Sequence, residues 1–386
     1  MKLGNSQRFN IWLGFVLIYL FIKFEDLLGV ALIGPTFQSL LMYVVFAIGV
    51  ILTIFFSNYS NYKVDYFILA CFGLTFTAVV STIINRVSNV DLVQDLTYAC
   101  FWFVVLLVCY NFLDGNINSK NVVNLFVIFD ILVILRFVLW FASDATGSDA
   151  RSNSIYYMVC LFPVVFYESK KHIKYFLFIA TFACTLLSGK RTALIALAVA
   201  FVIPYIVKMF MLERKKWVRN SIALIAIFAI IIISYDILIS NFDITILERF
   251  ENIEEDGGSG RSEIYATVWR KIKNSDVPQL LLGRGYNGVF TSGIVDTSAH
   301  NDFLEVLFDY GILGAAFYLL FIFGLFSIAK KLVKRQSEMS LPFISGLAVF
   351  VCMSLTSHLI IYPTYFFCLI IIFMMGRSTL KEDEGE

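Results

Sequence analysis

The strongest constraint on this chain is its repeated runs of about 20 apolar residues separated by short polar links. A bilayer core about 30 Å thick takes roughly 20 such residues per helix. Twelve runs are readable: 10–32, 36–56, 65–84, 95–113, 121–142, 154–168, 172–188, 191–211, 220–240, 306–329, 339–358 and 360–376. Composition agrees. Over 386 residues, 59% are hydrophobic and only 15% are charged, against roughly 25% charged in soluble domains. Water-soluble enzymes, disordered chains and nucleic-acid binders are excluded as classes. The expectation is an all-α polytopic membrane protein of about twelve transmembrane helices.

The basic residues test this count. With the N-terminus in the cytoplasm, eighteen Lys and Arg fall in cytoplasmic segments and five in the short loops opposite. Cytoplasmic loops are enriched in Lys and Arg, so both ends are expected in the cytoplasm. Lys2 and Arg8 precede the first run without a small-residue cleavage site, which reads as a retained span. The seven cysteines all lie in apolar stretches and read as small buried hydrophobes, with neither disulfide framework nor metal site.

One link breaks the pattern. Residues 241–305 form a long polar stretch on the outer side, dividing the chain into spans one to nine (1–240), an extracytoplasmic folded loop (241–305), and spans ten to twelve with a cytoplasmic tail (306–386). Long connections are usually functional or disordered, and this one carries structural signals. Ile244, Leu247, Phe250 and Ile253 predict a short amphipathic helix. A flexible break, 254–260, follows. Ser262 and Glu263 then read as cap and first-turn acid of a helix with apolar face Ile264, Val268 and Ile272, which Pro278 stops. Asn301-Asp302 caps span ten, leaving His300 just outside it.

Candidate chemistry gathers on the same side. Of three histidines, His172 lies among Lys170, Lys171 and Lys174 and reads as a solvated cytoplasmic residue. His358, at the outer end of span eleven, reads as interfacial packing. His300 sits at a helix start in the folded loop, where imidazole suits general-base work. Arg191 falls on the outer side, which the positive-inside bias depletes. Arg261 opens a loop helix, and Arg284 stands between two glycines. A guanidinium grips phosphate with a rigid fork, and a helix N-terminus adds anion-binding N–H groups. The plain alternative is a basic loop resting on anionic headgroups. Arg136 is the one basic residue deep in a span, in span five with Asp130. An intramembrane charge faces the bundle interior or a wet cavity, as a structural pair or as a site residue. No glycine-rich nucleotide loop, paired metal-ligand motif or Gly-x-Ser-x-Gly is present.

Four segments then carry a resemblance. Ser188-Gly189-Lys190-Arg191-Thr192-Ala193-Leu194 resembles S-x-R-x-A-L at a span start. Gly260-Arg261-Ser262-Glu263-Ile264-Tyr265 resembles G-R-x-x-x-W/Y. Leu281-Leu282-Gly283-Arg284-Gly285 resembles hhG-x-G, and the stretch from His300 to Gly314 is similar to H-N-x-x-L-x-x-L-x-x-x-G-h-h-G. Together they resemble the O-antigen ligase and polymerase superfamily over about 185–330; the N-terminal half is alike only in hydrophobicity. The resemblance implies a GT-C-like fold, pyrophosphate-binding arginines at Arg191 and Arg261, and a catalytic histidine at His300. Arg284, Arg136 and Asn301 are candidate substrate contacts, and Lys190 departs from the motif. It also implies no metal, nucleotide or other cofactor, and residence in the bacterial inner membrane. The implied partners are an undecaprenyl-pyrophosphate-linked glycan donor and acceptor, membrane lipids and a candidate chain-length regulator, with no nucleic acid.

Within the superfamily, a polymerase joins lipid-linked repeat units, whereas a ligase moves a finished glycan to lipid A-core. The Phe/Ile/Tyr/Asn-rich composition and compact length lean towards the polymerase. A lipid-linked sugar flippase is the alternative of another class. Transporters place their sites near the midplane on broken helices in repeated halves, whereas here the polar residues gather in one outer loop.

Overall fold

The computed structural model describes residues 5–28, 35–56, 65–85, 89–113, 119–142, 149–168, 170–211 and 260–383, and every regular element among them is helical. The chain runs α1 (Asn5–Leu28), α2 (Pro35–Phe56), α3 (Tyr66–Asn85), α4 (Asn89–Phe112), α5 (Ser119–Ala142), α6 (Asp149–Leu161), a 3-10 turn (Phe162–Phe166), α7 (Lys171–Leu187) and α8 (Arg191–Met211). After the undescribed stretch come α9 (Arg261–Lys273), α10 (Val277–Leu282), α11 (Gly288–Thr291), α12 (Asp302–Lys334), α13 (Ser340–Thr356) and α14 (Pro363–Asp383). The ninth expected span, 220–240, and the amphipathic helix expected over 244–253 lie outside the described residues.

Among the described residues, five helical stretches are long and apolar enough to cross a membrane: Tyr66–Asn85, Leu92–Phe112, Lys120–Phe141, Arg191–Phe210 and Asp302–Lys334. Their outward faces carry large apolar side chains, including Phe72, Phe76, Leu139 and Phe323. Exposure of that kind is what lipid, not water, accommodates. The sixth run differs from a plain helix. Pro163 enters at the first turn of the 3-10 segment. Proline has no N–H for the α-helical ladder and crowds the preceding turn, so α6 gives way there to tighter winding.

Without a hydrophobic force between helices in lipid, close packing holds the bundle together. Among the most extensive contacts are those of α12 with α3 and of α13 with α8. The α3–α12 seam uses reciprocal notches. A Cβ on Gly73 would stand 2.4 Å from the Phe317 ring, and one on Gly324 would stand 2.9 Å from Phe67. Each glycine therefore receives an aromatic ring from the other helix. Deeper in, Phe321 meets Phe350 edge-on at 5.7 Å and Phe350 stacks on Phe366 at 5.3 Å, the geometries that ring quadrupoles favour.

The loop preceding α12 has its own small core of Val268, Ile272, Val289, Ala299 and Phe308, with Ile264 packed beside it. The expected apolar face of α9 is thus the one that is buried. Two boundary expectations are corrected. The α9 cap is Gly260, in a left-handed conformation at φ +77°, so Ser262 lies inside the helix. Pro278 does not stop α9. It opens α10, where its missing N–H costs nothing, and Asp276 caps that helix by accepting from Gln279 N at 2.9 Å.

This lid is clamped to the bundle through backbone. α12 breaks at Gly311 (φ +67°, ψ −166°), and Leu281–Gly283 press into the break. A Cβ on Gly311 would stand 2.4 Å from the Leu281 carbonyl, and one on Gly283 would stand 2.3 Å from that of Asp309. Ser81 of α3 donates to the Asp309 carbonyl at 2.7 Å and accepts from Gly285 N at 2.9 Å. The Asp309 carboxylate accepts from Gly288 N at 2.9 Å, and Thr82 accepts from Tyr286 N at 3.0 Å. The Leu-Leu-Gly-Arg-Gly motif is therefore a dock.

Candidate active site

The lid brings one end of three helices together: the start of α8, the start of α12 and the end of α13. α7 closes at Ser188, and Gly189 turns the chain at φ +66° into α8. Arg191 and Thr192 form the first turn of α8. Arg261, at the first position of α9, reaches across and donates from Nη1 to Thr192 Oγ1 at 3.1 Å. Two residues far apart in sequence, Arg191 and Arg261, are thereby gathered at one helix start.

His300 lies within electrostatic reach of Arg261 and Lys190. Its backbone is left-handed at φ +50°, a region few non-glycine residues enter unless the surroundings enforce it. Those surroundings are specific. Tyr265 of α9 donates to the His300 carbonyl at 3.1 Å. The buried Glu305 carboxylate accepts from Ala299 N at 2.6 Å. Asn301 caps α12 as expected, accepting from Leu304 N at 3.1 Å, and its amide donates to the Leu355 carbonyl at 3.1 Å. The buried Asp302 carboxylate accepts from Leu359 N at 2.9 Å. Together these bonds tie residues 299–302 to the end of α13.

The imidazole is half-buried. Nε2 shares a hydrogen bond of 3.2 Å with Thr297 Oγ1, while Nδ1 is buried with no hydrogen-bond partner among the described residues. Burial first, then the positive charges of Arg261 and Lys190, push its pKa down from 6.5 to about 4. At neutral pH the ring is uncharged and holds a free lone pair, the state a proton acceptor needs. Burial also raises the Tyr265 phenol, with Arg261 opposing.

A second histidine completes the arrangement. His358, expected as interfacial packing, stacks on His300 with ring centroids 4.8 Å apart and 28° between planes. Its Nδ1 shares a 2.8 Å hydrogen bond with the buried Ser298 hydroxyl, and Tyr362 stacks beyond it at 4.4 Å. The sequence signal for His358 was its outer-face position, shared with only one other histidine.

The remaining candidates are placed apart. Arg284 spends its guanidinium within the lid, donating to Ser275 Oγ at 2.8 Å and Gln279 Oε1 at 2.7 Å, over the Phe308 ring at 4.5 Å. Arg136 lies on α5 beside Trp140, 5.7 Å from its ring centroid. Asp130 is fully buried, both carboxylate oxygens lacking a hydrogen-bond partner among the described residues. Six positions along an unbroken helix put these two charges on different faces.

Helical spans with lipid-type surfaces, with a cluster of arginines and a histidine at one end of the bundle, define a multi-pass membrane protein. Residues 176–319 match the family model of the O-antigen ligases, so the resemblance to the O-antigen ligase and polymerase superfamily holds over that stretch, which contains Arg191, Arg261 and His300. Proteins of that family are membrane glycosyltransferase-like enzymes, ligases and polymerases. No curated protein matches the chain.

Proposed function

We propose that this protein is a surface-polysaccharide polymerase of the bacterial inner membrane. It has twelve spans in a GT-C-like arrangement, both termini in the cytoplasm and the lid on the outer face. It joins undecaprenyl-pyrophosphate-linked repeat units by glycosyl transfer with inversion. The observation that supports this best is the Arg261–Thr192 contact, which brings Arg261 to the helix start that carries Arg191, within electrostatic reach of a neutral, half-buried His300.

The steps follow from the charges. The donor pyrophosphate lies against Arg191 and Arg261, whose forks stabilise charge as it develops in a water-poor site. The acceptor hydroxyl oxygen attacks C1 of the donor sugar, and the C1–O bond to phosphorus breaks with its electron pair leaving on pyrophosphate. The hydroxyl proton passes to His300. A single displacement without an enzyme nucleophile inverts C1. Donor binding also strengthens the base. Pyrophosphate neutralises the positive field that helps hold the His300 pKa near 4, so the imidazole becomes more basic once its substrate is in place.

The second reading is the ligase; the family match covers both, and the arginines and histidine serve both reactions. The same family match supports glycosyl transfer over the flippase. A strain lacking the gene, complemented with wild type or His300→Ala, separates them on a gel of surface glycolipid. Loss of the ladder with core plus one repeat unit remaining means polymerase. Bare core means ligase, and an unchanged ladder sinks both.

A further inference from the structure

The three helices that gather the active site have other ends, and these close around a second feature. A cavity of about 700 Å³ is lined by Lys120 at the start of α5, Lys170 before α7, Lys208 near the end of α8, and Ser337 and Glu338 in the α12–α13 link. From Arg191 to Lys208, α8 rises about 26 Å, close to the thickness of a bilayer core. The cavity thus lies in the leaflet opposite the active site.

Its charges are arranged for an anion. Lys174 stands over the Phe166 ring that lines the cavity, 5.9 Å from its centroid, and within electrostatic reach of Lys208. Three lysines thus line the cavity, with Lys174 beside its Phe166 wall. Of the two carboxylates in the wall, Glu168 is buried and its Oε1 accepts the backbone N–H of Lys170 at 2.7 Å, while Glu338 is exposed at the rim. Apolar wall is supplied by Val123, Phe166 and Leu341. An occupant needs a negative head for the lysines and a body tolerant of apolar surface.

We propose that this cavity binds a phosphate-bearing anion, the headgroup of an anionic phospholipid from the leaflet opposite the active site. Lysine supplies strongly hydrated point charges that suit phosphate, and the apolar wall of Val123, Phe166 and Leu341 favours a lipid over free phosphate. This inference rests on the chain spanning the membrane, not on which glycosyl transfer it performs.

Native mass spectrometry of the full-length protein in neutral detergent tests it, with phosphatidylglycerol, phosphatidylcholine and inorganic phosphate titrated separately. Wild type is expected to retain one phosphatidylglycerol in preference to phosphatidylcholine. Lys120→Ala/Lys208→Ala is expected to bind it roughly tenfold more weakly. Ser337→Glu adds a negative charge to the wall without removing a lysine and is expected to act in the same direction. Lys271→Ala/Lys273→Ala, on the lid, is expected to bind as wild type does. Equal phosphatidylglycerol binding by wild type and both cavity variants overturns the site. Equal uptake of the two lipids by wild type overturns the anion preference, and binding of phosphate without lipid overturns the lipid as its source.

Discussion

His300 is held by contacts that outnumber its own: the Tyr265 hydroxyl on its carbonyl, Glu305 on the preceding N–H, Asn301 capping the helix behind it, and the His358 ring against its face. Removing the imidazole should cost the general-base contribution, about 10²- to 10⁴-fold in transfer rate. His300→Ala measured in membranes at matched protein level checks this. His358→Phe keeps an aromatic face against His300 but deletes the Ser298 hydrogen bond. A loss of roughly fivefold is expected, smaller than for His300→Ala; equal losses would make His358 a reacting group in its own right. The pH behaviour carries a sign. Activity limited by His300 in the free protein should fall as pH drops through about 4. Arg261→Gln removes one of the causes that lower this pKa, so the acid limb of kcat/KM should move to higher pH even as the rate falls. The same histidine affects stability. Its folded pKa lies below the ordinary 6.5, so the unfolded chain binds more protons between about pH 6.5 and 4. Its contribution to stability is therefore present above that window and lost as pH falls through it.

At the scale of elements, the lid and α12 meet backbone to backbone, and that contact tolerates no side chain at Gly283 or Gly311. Both have positive φ with extended ψ, and an added Cβ would overlap a carbonyl in each case. Gly283→Ala and Gly311→Ala should each cost more than about 3 kcal/mol, seen as a lowered melting temperature in detergent and early protease cleavage of the lid. Arg284→Ala should destabilise the lid by about 1–3 kcal/mol through lost hydrogen bonds and cation–π contact, measured by the same proteolysis. Acceptance of the arginine loss at full stability with lost substrate binding would instead make Arg284 a substrate contact. The four sequence segments are thus of two kinds. The segments opened by Ser188, Gly260 and His300 deliver side chains to the site. The Leu-Leu-Gly-Arg-Gly segment holds the lid that aims them, a distinction invisible in the spacing because a docking glycine and a catalytic loop glycine look alike in sequence.

For the whole molecule, the long seams of α12 on α3 and of α13 on α8 fix which helix ends share a face. α8, α12 and α13 each present one end to the cationic site and the other to the lysine-lined cavity, so the two stand a bilayer core apart on shared rigid elements. What the sequence determined by itself follows from local rules. Apolar runs and period specify helices and their membrane habit, and cap chemistry places Asn301 at the start of α12. Arg191, Arg261 and His300 stood out in the sequence as candidates through their residue types and motif positions. Only the tertiary structure decided that Arg261 touches Thr192 across 69 positions, that His358 stacks on His300, and that Arg284 turns inward to the lid. Contacts between distant segments depend on how helices pack, and in this bundle that packing is set by glycine notches and aromatic rings whose partners no local pattern names.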